Sequence, residues 1–165
     1  MIRFKKYDKN NILAMIDDDH VATIRNNKHL TQPTKDSCMS TCLAMVLGTS
    51  AKESYDKYHT KLQKYEIWFD TILDEYKIPY YYGSPRSSRL SGTVLCFATV
   101  PSLNIQGMFH QILIQYEEGK FTVFDPAQGR GGAKYYIPSN QEIDNELQVH
   151  LESWLIDLVI PLVYK

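Results

Sequence analysis

Four side chains have the types that nucleophilic attack on a carbonyl carbon requires. In chain order they are Gln32, Cys38, His110 and Asp125. A thiolate nucleophile needs a base, a group that orients this base, and hydrogen-bond donors for the oxyanion. Cys38 opens a segment of helical periodicity, and the free N–H groups and macrodipole of a helix N-terminus stabilise an anion. Cys38 is therefore the candidate nucleophile, and His110 is the candidate base.

The helix that begins at Cys38 is predicted to end before Gly48, because glycine commonly closes a helix C-terminus. Asp36 and Ser37 offer side-chain oxygens for its N-cap. Cys42 lies one turn after Cys38, on the apolar face that should point into the core. We therefore expect Cys42 to be a buried thiol that packs as a small apolar residue.

His110 begins an apolar strand, and Asp125 directly follows the next strand. A tight turn at 117–120 makes the two strands a hairpin, in which the start of the first lies beside the end of the second. We therefore expect Asp125 to orient the imidazole of His110. Gln32, six positions before Cys38, can donate its amide to an oxyanion together with the Cys38 N–H. The other histidines lack such an arrangement and are expected at the surface: His20, His29, His59 and His150.

The rest of the chain must position these side chains, and its patterns predict helices first and strands second. Tyrosines and apolar residues at spacings of three and four predict two helices between residues 50 and 76. Strands are predicted at 93–100, 109–116, 121–124, 134–137 and 154–164, and a short helix at 140–149. Pro161 favours a sheet edge for the last strand. This order is typical of the α+β class.

The order Gln, Cys, His, Asp resembles the papain-like cysteine peptidases, and it is most similar to the branch typified by double-glycine leader peptidases of bacteriocin exporters and their free-standing relatives. The matching segments are CMSTCLAM from Cys38, FHQILIQ around His110 and FDPAQG at Asp125, with Gln32 six residues before the cysteine. Met39 replaces the glycine that usually follows the nucleophile. The resemblance implies a papain-like fold, with helices packed on a C-terminal antiparallel sheet and the site between them.

This resemblance implies a cysteine peptidase that cleaves a peptide or isopeptide bond in a peptide or protein substrate, without a cofactor. The catalytic residues would be Cys38, His110 and Asp125, with Gln32 in the oxyanion hole. Acyl transfer, as in a transglutaminase, or deamidation by the same residues stays open, because these reactions share the thioester intermediate. A third hypothesis is a non-catalytic binding or inhibitory module on the same fold, in which Cys38 is an ordinary thiol.

Length and composition limit the remaining classes. The 165 residues favour one domain, 1–165, in which residues 1–29 form an N-terminal β-hairpin extension. A net charge of −1 argues against a strongly basic nucleic-acid binder. No run reaches the ~18 apolar residues of a membrane span, and no secretory signal is recognised. The three cysteines favour free thiols in a reducing compartment such as the cytoplasm, and no metal site is indicated. The resemblance to free-standing members of the family implies a bacterial or phage setting, and the oligomeric state stays open.

Arginines in two glycine-flanked loops are candidates for substrate selection. Arg86 and Arg89 lie in the loop at 84–91, and Arg130 lies in the loop at 128–133, which is expected to be mobile. A shared basic rim would favour acidic substrates or carboxylate termini. The alternative is that these are solvated loop charges with no role in binding.

Overall fold

The computed structural model describes Ile24, residues 26–83 and residues 92–162. The hairpin predicted in the first 29 residues, with strands at 12–16 and 21–24, lies outside the described residues except for Ile24, which is buried in the core. The described part consists of three helices followed by strands, and the main sheet is antiparallel at every pairing. The α+β prediction is therefore confirmed.

Helix α1 spans Cys38–Leu47, as predicted, and ends at Gly48, which adopts the left-handed conformation with a φ of 71°. Its N-terminus differs from the prediction. Ser37 occupies the N-cap position, but its hydroxyl bonds the N–H and carbonyl of Thr34 and no N–H of the helix. The Ser37 hydroxyl therefore stabilises the turn before the helix and does not pair with the first N–H groups of α1.

The two helices predicted between residues 50 and 76 are confirmed. Helix α2 spans Ala51–Gln63 and begins at Ser50, whose hydroxyl accepts a hydrogen bond from the Glu53 N–H. Helix α3 spans Phe69–Glu75. The apolar residues of α3 face inward, and the ring of Phe69 stacks on that of Phe97 with centroids 4.3 Å apart. These helices support α1, which carries the candidate nucleophile.

The main sheet has five strands in the order β1-β7-β2-β3-β4. Its members are β1 (Tyr81–Tyr82), β2 (Thr93–Pro101), β3 (Phe109–Glu117), β4 (Lys120–Phe124) and β7 (Leu155–Pro161). Strands β3 and β4 form the predicted hairpin, with Leu113 opposite Phe124. This register places His110, at the start of β3, at the same end of the hairpin as Asp125, which follows β4.

Two predictions about the last third of the chain are wrong. No helix forms at 140–149: turns lead into β6 (Gln148–His150), which pairs in parallel with β5 (Tyr135–Ile137). The physical reason is local competition, because the Gln148 side chain accepts from the Asp144 N–H and so replaces a helical bond. Strand β7 is not an edge strand either, because β1 pairs with it. Pro161 lies beyond the positions that pair with β1 and opposite Val94 of β2.

Helix α1 packs on the sheet so that its first turn meets the start of β3. The Cys42 thiol, one turn after Cys38, donates to the Gln111 carbonyl at 3.5 Å. Cys42 and Leu43 are fully buried against Leu113 and neighbouring apolar residues of the sheet. Cys38 is thereby brought beside His110, which precedes Gln111 on β3. No helix in the described part of the chain is long and apolar enough to cross a membrane.

Candidate active site

Cys38 lies in the first turn of helix α1, the part of its N-terminal half that is only partly covered. It is half-buried, whereas the residues from Ser40 to Val46 are buried. The first backbone bond of the helix is donated by Thr41 to the Ser37 carbonyl, at 3.2 Å. The N–H groups of Cys38 and the two residues after it precede this bond and have no acceptor within the helix. They are free to face a developing negative charge near the sulfur.

His110 and Asp125 form the contact that the hairpin pattern of the sequence predicts. Nε2 of His110 lies 2.6 Å from Oδ1 of Asp125, and the side chains are 11% and 1% exposed. The carboxylate accepts two further hydrogen bonds, from the N–H groups of Ala127 at 2.9 Å and Tyr136 at 2.8 Å. Both carboxylate oxygens are therefore satisfied, and the carboxylate is held in one position under the imidazole.

The Cys38 thiol lies close enough to the imidazole of His110 to influence its ionisation. Because Nε2 bonds Asp125, Nδ1 is the ring nitrogen left for the sulfur. Burial, the largest single effect, lowers the pKa of His110, but the hydrogen bond to Asp125 and the charge interactions with Asp125 and Cys38 together outweigh it and raise this pKa to about 10. The ring is therefore cationic at neutral pH, and it can stabilise a thiolate on Cys38 and supply a proton to a leaving group.

The other two cysteines have the opposite environment. Burial raises the pKa of Cys42 well above its usual value, and the neighbouring Cys38 sulfur raises it further. Burial also raises the pKa of Cys96 to about 12. Both thiols are inaccessible and stay protonated, as expected for structural cysteines. Of the three cysteines, Cys38 alone is half-buried, and it lies beside the imidazole of His110.

Gln32 lies in the same cavity as His110 and is itself 4% exposed. Its side-chain Nε2 donates one hydrogen to the Thr34 carbonyl at 2.8 Å, and its backbone N–H donates to the Pro126 carbonyl at 2.8 Å. These bonds fix the amide at the cavity wall. Among the described residues its second N–H hydrogen has no acceptor, so this amide can donate to an oxyanion.

The cavity has a volume of about 230 Å³, below the ~300 Å³ at which pockets for drug-sized ligands begin. Besides Gln32 and His110 it is lined by Lys35, Ser102, Asn104, Ile105, Ala127, Arg130 and Ala133. Arg130 belongs to the predicted basic rim, but Arg86 and Arg89 lie outside the described residues. The predicted mobile loop at 128–133 forms hydrogen-bonded turns, in which the Ala133 N–H donates to the Arg130 carbonyl at 2.8 Å.

His29 is a site neighbour that the sequence did not reveal, and its predicted surface position is wrong. Its Nε2 donates to the Asp125 backbone carbonyl at 2.7 Å, and the residue is half-buried. His59 is also largely covered, with a side chain that is 13% exposed and stacked on Tyr55. No local pattern could have identified His29, because its partner is 96 residues away in sequence.

The donor set of the site is that of thiol chemistry, and among the described residues no group of three or more His, Cys, Asp or Glu side chains could hold a metal ion. Comparisons with protein-family models, with curated proteins and with solved structures find no match for this chain. The resemblance to papain-like peptidases therefore stays a prediction that depends on the four residues and their geometry.

Proposed function

We propose that this protein is a papain-like thiol hydrolase that cleaves a peptide or isopeptide bond in a peptide or protein substrate. The observation that supports this most is the position of Cys38 beside His110, whose ring is hydrogen-bonded to Asp125. Its members come from the start of a helix, the start of one strand and the end of the next. An accessible thiol, a base and a buried carboxylate in this order are the parts of a nucleophilic triad.

In the proposed reaction, the Cys38 thiolate attacks the carbonyl carbon of the scissile bond, and its electron pair forms the new C–S bond. The carbonyl oxygen becomes an oxyanion, which accepts hydrogen bonds from the Cys38 N–H and the Gln32 amide. His110 donates the Nδ1 proton to the leaving amine as the C–N bond breaks. The product is a thioester between the substrate's acyl group and Cys38.

Water completes the cycle. His110, now neutral, takes a proton from a water molecule, whose oxygen attacks the thioester carbonyl. The C–S bond breaks, the acid product leaves, and the Cys38 thiolate and the His110 imidazolium are restored. Asp125 holds the ring with Nδ1 directed at the sulfur and stabilises its positive charge. No step needs a cofactor, and the free thiol suits a reducing compartment, so we expect the protein in the cytoplasm.

The test is digestion of a proteome-derived peptide library, with new termini identified by mass spectrometry. We expect cleavage by the wild-type protein, none by Cys38→Ala, and wild-type cleavage by Cys96→Ala, which removes a buried thiol away from the site. Cleavage by Cys38→Ala at the wild-type rate would refute the proposal. A primary amine added to the digest separates the reactions, since transfer of the acyl group to the amine in place of hydrolysis would make the protein an acyltransferase.

A further inference from the structure

We propose that the cavity beside His110 selects substrates that carry a carboxylate close to the scissile bond, and that Lys35 and Arg130 bind this carboxylate. The inference rests on the proposed function, because it names the substrate class of the same site. The carboxylate can belong to an acidic side chain or to a chain terminus, since both present the same group to the two cations.

The charges of the cavity support this selection. Lys35 and Arg130 are both exposed and line the cavity, and the lining contains no aspartate or glutamate. Within the described ranges neither cation forms an ion pair with a carboxylate. Asp36, the acid next to Lys35 in sequence, accepts from the Thr34 hydroxyl at 2.8 Å and lies 3.8 Å from Nε2 of His59. A substrate carboxylate would therefore supply the missing counter-charge.

The cavity walls are preorganised, although they come from distant parts of the chain. The Thr31 hydroxyl donates to the Gln128 carbonyl at 2.8 Å, beside the backbone bond from Gln32 to Pro126. Gly129, with a φ of 90°, lies so close that an added Cβ would be 2.8 Å from the Thr31 hydroxyl. These contacts tie the loop of Arg130 to the loop of Lys35. Both cations are thus held at one cavity, which lowers the entropy that binding must overcome.

The size of the cavity limits the ligand. A volume of about 230 Å³ is too small for a large cofactor and suits one substrate residue. Ile105, on the opposite loop, gives the cavity an apolar surface that a short aliphatic stem can contact. That loop is fixed by two bonds between the Asn104 side chain and the Lys134 backbone, at 2.9 and 2.8 Å. A carboxylate on a short stem fits this combination of surfaces.

The first experiment compares alkylation of Cys38 by iodoacetate, which carries a carboxylate, with alkylation by neutral iodoacetamide. In both reactions the sulfur displaces iodide, and peptide mapping measures the adduct at Cys38. We expect the ratio of iodoacetate rate to iodoacetamide rate to fall about 3- to 10-fold in each of Lys35→Met and Arg130→Met. Any change in the reactivity of the sulfur itself affects both reagents and therefore cancels in this ratio, and methionine keeps an unbranched stem. Lys134→Met, an exposed cation outside the cavity lining, should keep the wild-type ratio.

The outcomes separate this inference from the proposed function. An unchanged ratio in both cavity variants would overturn carboxylate selection, however fast iodoacetamide reacts. Slow iodoacetamide labelling of the wild-type protein would count against the nucleophile, whereas the ratio would still report the charge of the cavity.

The peptide library identifies the source of the carboxylate. Enrichment of Asp and Glu near the cleavage sites indicates an acidic side chain, whereas loss of cleavage when C-termini are amidated indicates a terminus. Either result should disappear in the Lys35→Met, Arg130→Met double variant. Cleavage sites in the wild-type digest without either feature would contradict the inference.

Discussion

Asp125, which is buried, and Asp157, which is half-buried, are two carboxylates beside or within the same sheet, and they have different partners. Asp125 follows β4 and accepts from a titratable ring, that of His110. Asp157 lies within β7 and accepts from neutral groups, the Thr99 hydroxyl at 2.7 Å and the Gln111 amide at 3.2 Å. Burial raises the pKa of Asp157, and these hydrogen bonds lower it only in part. Two side chains of one type therefore have different chemistry because of their neighbours.

This difference distinguishes the candidate active site around Asp125 from the polar cluster around Asp157, which only links strands. The hydrogen bonds of Asp157 link β2, β3 and β7 but lead to no accessible reactive atom. Those of Asp125 lead to His110, which lines a cavity and lies beside Cys38. Burial and hydrogen bonding alone are thus insufficient to mark a functional carboxylate. The informative feature is a titratable partner that itself contacts an accessible nucleophile.

The largest expected effect comes from substituting Asp125 itself. Asp125→Asn should lower the turnover of a library-derived peptide by about 10³–10⁴-fold, because loss of the carboxylate removes the partner that orients and charges His110. Asp157→Asn is the matched control, since it makes the same chemical change in the other cluster. We expect it to retain turnover within about three-fold of the wild type. Equal losses in both variants would show that Asp125 has only a structural role.

The second effect concerns the oxyanion. Gln32→Ala should lower turnover by about 10²–10³-fold, the usual cost of one oxyanion donor, while the iodoacetamide reactivity of Cys38 is kept. Gln63→Ala is the control, because the amide of Gln63 also donates to a carbonyl of this loop, that of Asp36, without lining the cavity. Turnover that falls no further in Gln32→Ala than in Gln63→Ala would remove Gln32 from the mechanism.

A third prediction concerns how the free energy of unfolding depends on pH. The folded protein raises the pKa of His110 from 6.5 to about 10. A raised pKa means that the folded state binds the His110 proton more tightly than the unfolded state. The resulting stabilisation is fully present below pH 6.5 and is lost as the pH rises through 10. The free energy of unfolding of the wild type, relative to Asp125→Asn, should therefore fall by about 1–4 kcal/mol between pH 6 and pH 10. Denaturant titrations measure it, and a constant difference would contradict the raised pKa.

The smallest effect concerns Asp157. Because burial raises its pKa above 3.8, stability is lost as the pH rises from 3.8 through the raised value. Asp157→Asn should therefore increase the free energy of unfolding at pH 7 by about 1 kcal/mol, a gain that shrinks as the pH is lowered toward 4. The asparagine oxygen can still accept from Thr99 and Gln111. Destabilisation by this variant at pH 7 would mean that the charge itself is required.

Local patterns in the sequence predicted the elements that carry the site. The bounds of α1 and the β3–β4 hairpin follow from short-range periodicity and turn residues, and so does the contact between His110 and Asp125. Features that depend on distant contacts escaped prediction. His29 contacts Asp125, and Lys35 and Arg130 line one cavity, because two loops remote in sequence are hydrogen-bonded together. The sequence also did not predict where side chains accept hydrogen bonds from backbone N–H groups and so prevent a helix. Gln148 and Asn145 do this in the segment that leads into β6.

The most direct test of the account is the rate at which iodoacetamide alkylates Cys38 as a function of pH, in the wild type and in His110→Ala. If the imidazolium stabilises a thiolate, the wild-type protein should react rapidly at pH 6, and His110→Ala should react at least about 10-fold more slowly there. The difference should narrow toward pH 9, where an ordinary thiol ionises without help. Equal rates for the two proteins at pH 6 would contradict the claim that Cys38 is an activated nucleophile.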